Sequence, residues 1–430
     1  MSVTGFRHSI KVPRFYKSAA KILVDVKNGG NIKTLIKDVD HPNKRGIMAL
    51  VLKTLQHSSV IDKLFEQTEI LTKEQNINPD LASVLATELI WGKRCLEGES
   101  KPVLTVLKYQ EKFLQTLSAD GLDVEDPNES IWRPRYVRVN TLKQPVEAVV
   151  NYFTKRAWKL LDTPDTYPAY LDFIKNNLKE DYFAHDFHFK EMLLFPKGTV
   201  FAKNKFFQNG SILLQDKSSC LATQILNPPP GSTVLDMCAA PGMKTSHLAA
   251  IMQNQGTIYA VDHDKVRYKT LLETVKRSNL KCVKPVQADV LRFHQRKAAE
   301  VEYILLDPSC SGTGMLSRLE YEKAETSEKR LNKLSNLQGK LLRHALTNFP
   351  SAKRVVYSTC SINAQENEAV VEEALTHASD FRLVDCSQIF KGWFNFGLSE
   401  YSCGPKCLRS VPEKDCTNGF FIAAFERIFG

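Results

Sequence analysis

Beyond residue 215, short apolar runs alternate with stretches whose apolar positions recur every three or four residues. Residues 233–236, 257–261, 283–287, 303–306 and 355–358 have the length and apolar character of buried strands. Residues 244–252, 265–278, 330–346 and 365–377 carry helical spacing between them. Such alternation predicts an α/β fold, a doubly wound parallel sheet with helices on both faces. Residues 420–425, opened by Gly419, predict a last, antiparallel strand.

The pattern differs upstream. Residues 14–27, 46–56, 81–95 and 103–117 show helical spacing, separated by Gly29-Gly30 and a polar run over 74–79. Residues 123–128 (Asp-Val-Glu-Asp-Pro-Asn) are acidic and aperiodic, which marks a boundary. After it, residues 136–139 alternate like a strand and 144–153 like a short helix, with strands expected at 191–195 and 198–201. The expected organisation is a helical N-terminal domain over 1–125, a small α+β module over 132–208 and an α/β domain over 209–430.

Composition narrows the partners. With 430 residues, 43% hydrophobic and 25% charged, the chain has the make-up of a soluble protein of two or three domains. Its longest apolar runs, such as 81–91, are short and interrupted, so no membrane partner is expected, and residues 1–14 lack the apolar core of a secretory signal. Ten scattered cysteines suit reduced thiols in the cytosol or nucleus. The formal charge is +10. Arg7, Lys11, Arg14, Lys17, Lys21, Lys27, Lys33, Lys37, Lys44, Arg45 and Lys53 are opposed only by Asp25, Asp38 and Asp40, which suits an arm following phosphates. In the α+β module Arg133, Arg135 and Arg138 lie among aromatics, a mixture that suits single-stranded RNA. Cys403, Cys407 and Cys416 have irregular spacing and no fourth ligand nearby, so no metal is expected.

The chemistry gathers where strands end. The strand over 303–306 stops at Asp307-Pro308, followed by Ser309, Cys310, Ser311, Gly312 and Gly314, which only a loop can hold. In an open α/β sheet, carboxyl ends of strands carry the ligand sites, so an acid and a thiol there suggest catalysis. The first strand runs into Asp236-Met-Cys-Ala-Ala-Pro-Gly-Met-Lys244 and then a helix. A phosphate-binding loop needs Gly-Lys adjacent, whereas Met243 separates Gly242 from Lys244; a dinucleotide fingerprint needs three glycines, and only Gly242 is present. A nucleoside cofactor without pyrophosphate remains. Asp262, closing the second strand, suits ribose hydroxyls; Asp289, after the third, suits an adenine amine; Arg267 either supports Asp262 or faces solvent. S-adenosylmethionine fits these positions.

Residues 354–361 (Arg-Val-Val-Tyr-Ser-Thr-Cys-Ser) repeat the strand-then-thiol pattern with Cys360. Two thiols and an acid beside a methyl donor suit carbon-5 methylation of a pyrimidine. That carbon becomes nucleophilic once a thiolate adds at carbon 6, and an acid such as Asp307 would hold the ring nitrogen and amine of cytosine. The residues alone leave open which thiol attacks.

The segments 235–245, 307–314 and 357–361, with Glu366-Asn-Glu368, Gln215-Asp216 and Gly419-Phe-Phe421 at their expected places, closely resemble the NSUN (Fmu/Sun, RsmB/NOP-type) family of RNA (cytosine-5) methyltransferases. The resemblance covers roughly residues 132–425. Asp307-Pro-Ser-Cys310 is similar to the fifth NSUN member, the large-subunit ribosomal RNA branch. It implies a Rossmann-like class I S-adenosylmethionine-dependent methyltransferase sheet preceded by an RNA-recognition-like module. It implies that Cys360 is the nucleophile and that Cys310 helps release product. It implies that Cys238, Ala239, Ala240, Pro241, Gly242, Met243, Lys244, Asp262, Arg267, Asp289 and Asp307 hold the cofactor. The expected partner is large-subunit rRNA or a pre-ribosomal particle, the expected place the nucleus and nucleolus, the expected state a monomer. A non-catalytic ribosome-assembly factor retaining the cofactor fold is the alternative.

Overall fold

The computed structural model describes residues 11–28, 30, 32–119, 131–293, 299–315 and 328–428, without the side chains of Lys33 and Thr34. Arg7, Gly29 and the boundary expected at 123–128 lie outside the described residues. The chain forms two compact units, one from the helices up to Ala119 and one from Ile131 onward.

The first unit contains α1 (Arg14–Lys27), α2 (Ile32–Leu35), α3 (Lys44–Gln56), α4 (Ser58–Thr68), α5 (Ile70–Lys73), α6 (Pro79–Ile90), α7 (Lys101–Lys108) and α8 (Gln110–Ala119). Helix α6 starts where the Asn78 side chain accepts the Leu81 amide, with Pro79 in the first turn. Every residue from Leu81 to Ile90 is buried, and α1 packs on it through a face that buries Tyr16, Ala19, Ile22, Leu23 and Val26. The helix expected over 81–95 stops at Ile90, where the Trp91 and Gly92 amides both turn back to the Thr87 carbonyl. The helix expected over 103–117 is two helices, broken at Tyr109, because apolar spacing runs on unchanged across a tight turn. Several of the basic residues are engaged locally. Arg14 pairs with Asp40 at 2.9 Å and Lys27 with Asp80 at 2.6 Å, while the Lys53 ammonium donates to the Trp91 carbonyl. Among the described residues no helix is long and apolar enough to cross a membrane.

The second unit opens with a five-stranded sheet of β1 (Arg135–Val139), β2 (Lys159–Leu160), β3 (Tyr182–His185), β4 (Met192–Phe195) and β5 (Ile212–Leu214), ordered β2-β3-β4-β1-β5. Helices α9 (Val146–Thr154), α10 (Tyr167–Asn177) and α11 (Lys205–Gln208) complete it. Its last strand lies past residue 208, paired antiparallel to β1. The strand expected at 198–201 is irregular backbone, whose apolar content reflects Phe201 filling the core under the sheet.

A sheet of eight strands follows: β6 (Thr233–Asp236), β7 (Thr257–Asp262), β8 (Val283–Gln287), β9 (Tyr303–Leu306), β10 (Arg354–Thr359), β11 (Phe381–Leu383), β12 (Leu408–Ser410) and β13 (Phe420–Arg427). The order is β11-β13-β10-β9-β6-β7-β8, with β12 also on β13. Strands β6 to β10 are mutually parallel, and β13 is antiparallel to β10. Around the sheet lie α12 (Lys217–Leu226), α13 (Met243–Ile251), α14 (Lys265–Ser278), α15 (Glu328–Thr347) and α16 (Glu368–Leu375). Ile304, Leu305 and Leu306 are wholly buried, as a central strand covered on both faces requires. From β6 the chain winds one way to β8 and the other way from β9 to β10. The crevice beyond β6 and β9 is therefore the switch point where such sheets bind ligands.

The two sheets are joined inside one core. Lys217, at the start of α12, is buried with its ammonium 2.9 Å from the Asp186 carboxylate and over the Tyr167 ring. Removing one member of such a pair leaves a lone buried charge. Lys217→Ala is expected to lose roughly 3–5 kcal/mol of unfolding free energy. Lys217→Met combined with Asp186→Leu is expected to recover most of it, both measured by urea denaturation.

Candidate active site

The loop after β6 is shaped by close approaches. The Met237 amide donates to the Leu305 carbonyl and the Ala239 amide to the Val261 carbonyl, pinning the loop between its neighbours. Gly242 has φ +97°, and a side chain there would press on Leu271 and Thr274 of α14. The loop thus stays close to the ends of β7 and β9, and a cavity of about 280 Å³ opens beside it. Cys238, Asp262, Arg267 and Asp289 line this cavity, with Val290, Leu291 and Leu341 as apolar walls.

Asp262 is buried and accepts the Asp264 and Ala240 amides, so its carboxylate is fixed in place. Arg267 does not face solvent alone. Its guanidinium donates to the Ala240 carbonyl at 2.6 Å and lies 3.4 Å from Asp262, supporting that carboxylate. Asp289 caps the turn after β8 with one oxygen on the Leu291 amide and is otherwise exposed. Two carboxylates repel phosphate but accept hydroxyl and amine donors, so the lining fits the nucleoside end of S-adenosylmethionine. Pro241 is exposed, and Met243 begins α13. Burial pushes the Cys238 thiol far up, which keeps it neutral.

Next to the cavity, β9 and β10 deliver the two thiols to one point. The Cys310 and Cys360 sulfurs lie 3.2 Å apart and share a hydrogen bond. That bond, with burial, raises Cys310 well above its usual range and holds it as a neutral thiol. The loops are clamped by Glu366, which in the sequence is marked only by its place in a motif. The buried Glu366 carboxylate accepts the Ser311 amide at 2.8 Å, the Ser311 and Ser361 hydroxyls, and the Gln338 amide at 3.0 Å. Burial alone would raise its pKa, but these donors outweigh it and hold the carboxyl below its usual range. A second tie is made of backbone. The Gly314 amide donates to the Cys360 carbonyl and the Gly419 amide to the Gly314 carbonyl, where a Cβ on Gly314 would overlap Gly419. Glu368 binds Arg409 of β12 at 2.6 Å and braces the same corner.

Asp307 joins the thiol and cofactor halves. One of its oxygens accepts the Ser358 hydroxyl and the other the Lys244 ammonium, each at 2.8 Å. Burial would lower Lys244, but the charges of Asp307, Cys360 and Asp236 raise it, so it stays cationic. Asp236, absent from the expected site, sits beneath this pair and accepts the Thr245 hydroxyl at 2.7 Å. Burial, reinforced by the Asp307 charge, pushes Asp236 up to about 7 against the Thr245 hydrogen bond. An acid closing the first strand was visible in the sequence, but nothing there set it apart from a helix cap.

Eight of the expected site residues fall into two neighbouring sets, while Ala239, Ala240, Pro241, Gly242 and Met243 lie along the loop after β6 and do not line the cavity. Cys238, Asp262, Arg267 and Asp289 form the cavity, while Lys244, Asp307, Cys310 and Cys360 form a charged and thiol-bearing wall. Among the described residues no group of His, Cys, Asp and Glu is placed to hold a metal ion. Cys403 and Cys407 are buried free thiols hydrogen-bonded to each other, which with burial raises Cys407.

A nucleoside cavity at the switch point, with paired thiols beside it, defines a class I S-adenosylmethionine-dependent methyltransferase of the cytosine-C5 type. Comparisons with known proteins carry this further. Residues 223–426 match the family described as 16S rRNA methyltransferase RsmB/F. Residues 133–215 and 45–120 match the ferredoxin-like and N-terminal domains of NOL1/NOP2/Sun domain family member 5. The chain is 39% identical to a Drosophila melanogaster 28S rRNA (cytosine-C(5))-methyltransferase, over 98% of this chain and 97% of that one. It is 37% identical to the Mus musculus protein of that name, over 96% and 90%. A methyltransferase homolog from Pyrococcus horikoshii has a solved structure of TM-score 0.55 and 25% identity, covering 84% of this chain and 98% of that one. The chain belongs to the NOL1/NOP2/Sun family of RNA cytosine-C5 methyltransferases, in the branch of member 5.

Two outcomes test the electrostatics. Glu366→Gln is expected to cost about 2–3 kcal/mol, since an amide cannot accept all of those donors, and to lower methyl transfer by loosening both thiol loops. Urea unfolding and a tritiated-methyl assay measure the two effects. Asp236 carries a raised pKa, so its folded form binds a proton that its unfolded form releases. Its contribution to stability is whole below about pH 4 and is lost as pH rises to about 7. Asp236→Asn is therefore expected to gain stability relative to the parent by roughly 4 kcal/mol across that window, read by unfolding at each pH.

Proposed function

We propose that this protein transfers a methyl group from S-adenosylmethionine to carbon 5 of a cytosine in large-subunit ribosomal RNA, with Cys360 as nucleophile. The observation that carries this reading is the sulfur pair 3.2 Å apart beside the Lys244–Asp307 ion pair. The substrate class is that named for the fly and mouse relatives. A binder without catalysis has no use for such a thiol pair.

The target base has to leave its stack to reach the crevice. Held in the cavity, the cofactor supplies an electrophilic methyl on a sulfonium. Cys310 is kept neutral and hydrogen-bonds the Cys360 sulfur, and the Lys244 ammonium lies nearby, so a Cys360 thiolate formed by loss of its proton to solvent water is supported from both sides. The Cys360 thiolate adds to carbon 6 of the cytosine. Asp307 and Lys244 hold the exocyclic amine and ring nitrogen, where the displaced electrons collect. Carbon 5 then carries the excess density and would take the methyl, the methyl–sulfur bond breaking with its electron pair left on sulfur as a neutral thioether. Solvent water, acting as the base, takes the carbon-5 proton, the ring double bond re-forms, and the carbon–sulfur bond breaks with its electron pair returning to Cys360. Cys310, in contact with that sulfur, hydrogen-bonds the departing thiolate and so assists release. The reading places the protein in the nucleolus, acting as a monomer on rRNA or a pre-ribosomal particle.

Cys360→Ala is expected to abolish tritium transfer to a cytosine-containing rRNA fragment; substantial residual transfer would remove the nucleophile assignment. Cys310→Ala is expected to slow turnover about 100-fold or more and to trap a covalent protein–RNA adduct, seen as a retarded band on a denaturing gel. Unaffected turnover would remove its part in release.

A further inference from the structure

The module over β1 to β5 cannot meet RNA on its sheet in the way RNA-recognition modules usually do, by stacking bases on exposed strand aromatics. Both faces of the sheet are covered. Val137, Val139, Phe183, Leu193 and Phe195 point into the core formed with Val149 and Phe153 of α9. On the opposite face Tyr136, Ala184, Met192 and Leu194 are sealed into the core shared with α12 and α13. Arg138, expected among the RNA contacts, is wholly buried there, bonded to Gln215 and Ser246. Its charge is spent inside the protein.

The aromatic and basic residues left at the surface gather on the other side of the module. On α9 and α11, the Tyr152 and Phe206 rings lie 4.2 Å apart, both half-buried. The Arg156 guanidinium sits 3.8 Å from the Tyr152 ring centre, and the Lys205 ammonium 5.2 Å from it. Beside them the Phe207 ring faces the Arg277 guanidinium of α14 at 5.7 Å. Among the described residues none of Arg156, Lys205 and Arg277 makes an ion pair with a carboxylate, in contrast to Arg14, Lys27 or Arg427. Cations held over flat rings, without acids to neutralise them, are what a single strand of nucleic acid needs: positive charge for phosphates and planar faces for bases. Helix α14 also links this surface to the cofactor cavity. Arg277 lies ten residues from the cavity residue Arg267, about 15 Å along the helix axis.

We propose that Tyr152, Arg156, Lys205, Phe206, Phe207 and Arg277 form a docking surface for a single-stranded segment of the substrate RNA, outside the catalytic crevice. The assignment rests on the RNA-methyltransferase reading and adds where the RNA outside the target base is held. It separates affinity from chemistry. The surface supplies binding that is the same in ground and transition states, so its loss raises KM and leaves kcat alone.

The test uses the full chain and the Arg156→Ala/Lys205→Ala variant, with an independent Phe206→Ala variant as a second probe. A fluorescein-labelled single-stranded RNA of mixed sequence is titrated by anisotropy at several salt concentrations. Each variant is expected to bind about tenfold more weakly, and the double variant to lose about 1.4 from the salt slope, at roughly 0.7 per phosphate contact. In methylation assays KM for RNA rises about tenfold while kcat stays unchanged, and calorimetric binding of S-adenosylmethionine shows that the fold is kept. Unchanged RNA affinity and slope in both variants, with a parent that methylates RNA, overturns the surface and leaves the function standing. A parent that binds RNA through these residues but transfers no methyl overturns the function and supports the surface. A parent that binds no RNA overturns both.

Discussion

One buried carboxylate holds the reactive part of this molecule together. Glu366 gathers donors from the Cys310 loop, the Cys360 loop and α15 onto two oxygens. A charge without water is costly unless its lone pairs are filled, and here they are filled by the segments that must not move. Two sulfurs in contact otherwise need two independent loops to find the same place. The hydrogen bond between the thiols and the neutral state of Cys310 both follow from that clamp.

Around the clamp, charge is arranged by depth. Asp236 lies at the bottom with its pKa raised, Lys244 and Asp307 pair above it, and Asp262 and Asp289 border the cavity. The parallel sheet makes this possible, because successive strands end at one edge and each adds one polar residue there. Fusion of the two sheets has a cost and a consequence. Burying Arg138 and Lys217 binds the small module rigidly to the catalytic sheet. The same burial closes the strand face on which bases would stack and leaves the helical side to carry the aromatic and basic surface.

The sequence was most legible where local pattern and tertiary demand coincide. The catalytic strands and helices stood out because buried parallel strands are continuous apolar runs and their helices have one apolar face. The loop after β6, Asp262, Asp307 and both thiols stood out as candidates because turn-forming residues abruptly end those runs. Less was readable where a pattern is ambiguous. Apolar spacing ran unbroken over the turn at Tyr109, and the apolar run ending at Phe201 resembled a strand although its side chain serves the core. The two-residue strand β2 and the three-residue strands β5, β11 and β12 are too short to leave a period.

By itself, then, the sequence determined the element types, the strand ends where polar residues gather and the presence there of an acid and two thiols, because these depend on neighbours along the chain; which thiol attacks it left open. The tertiary structure decided which groups meet. It joined Glu366 to Ser311 across fifty-five residues, set Asp236 beneath Lys244 and Asp307, and turned Arg138 from an expected RNA contact into a core residue. Burial and distance govern pKa, partnership and access to solvent. Both are properties of the folded chain, which local sequence pattern does not carry.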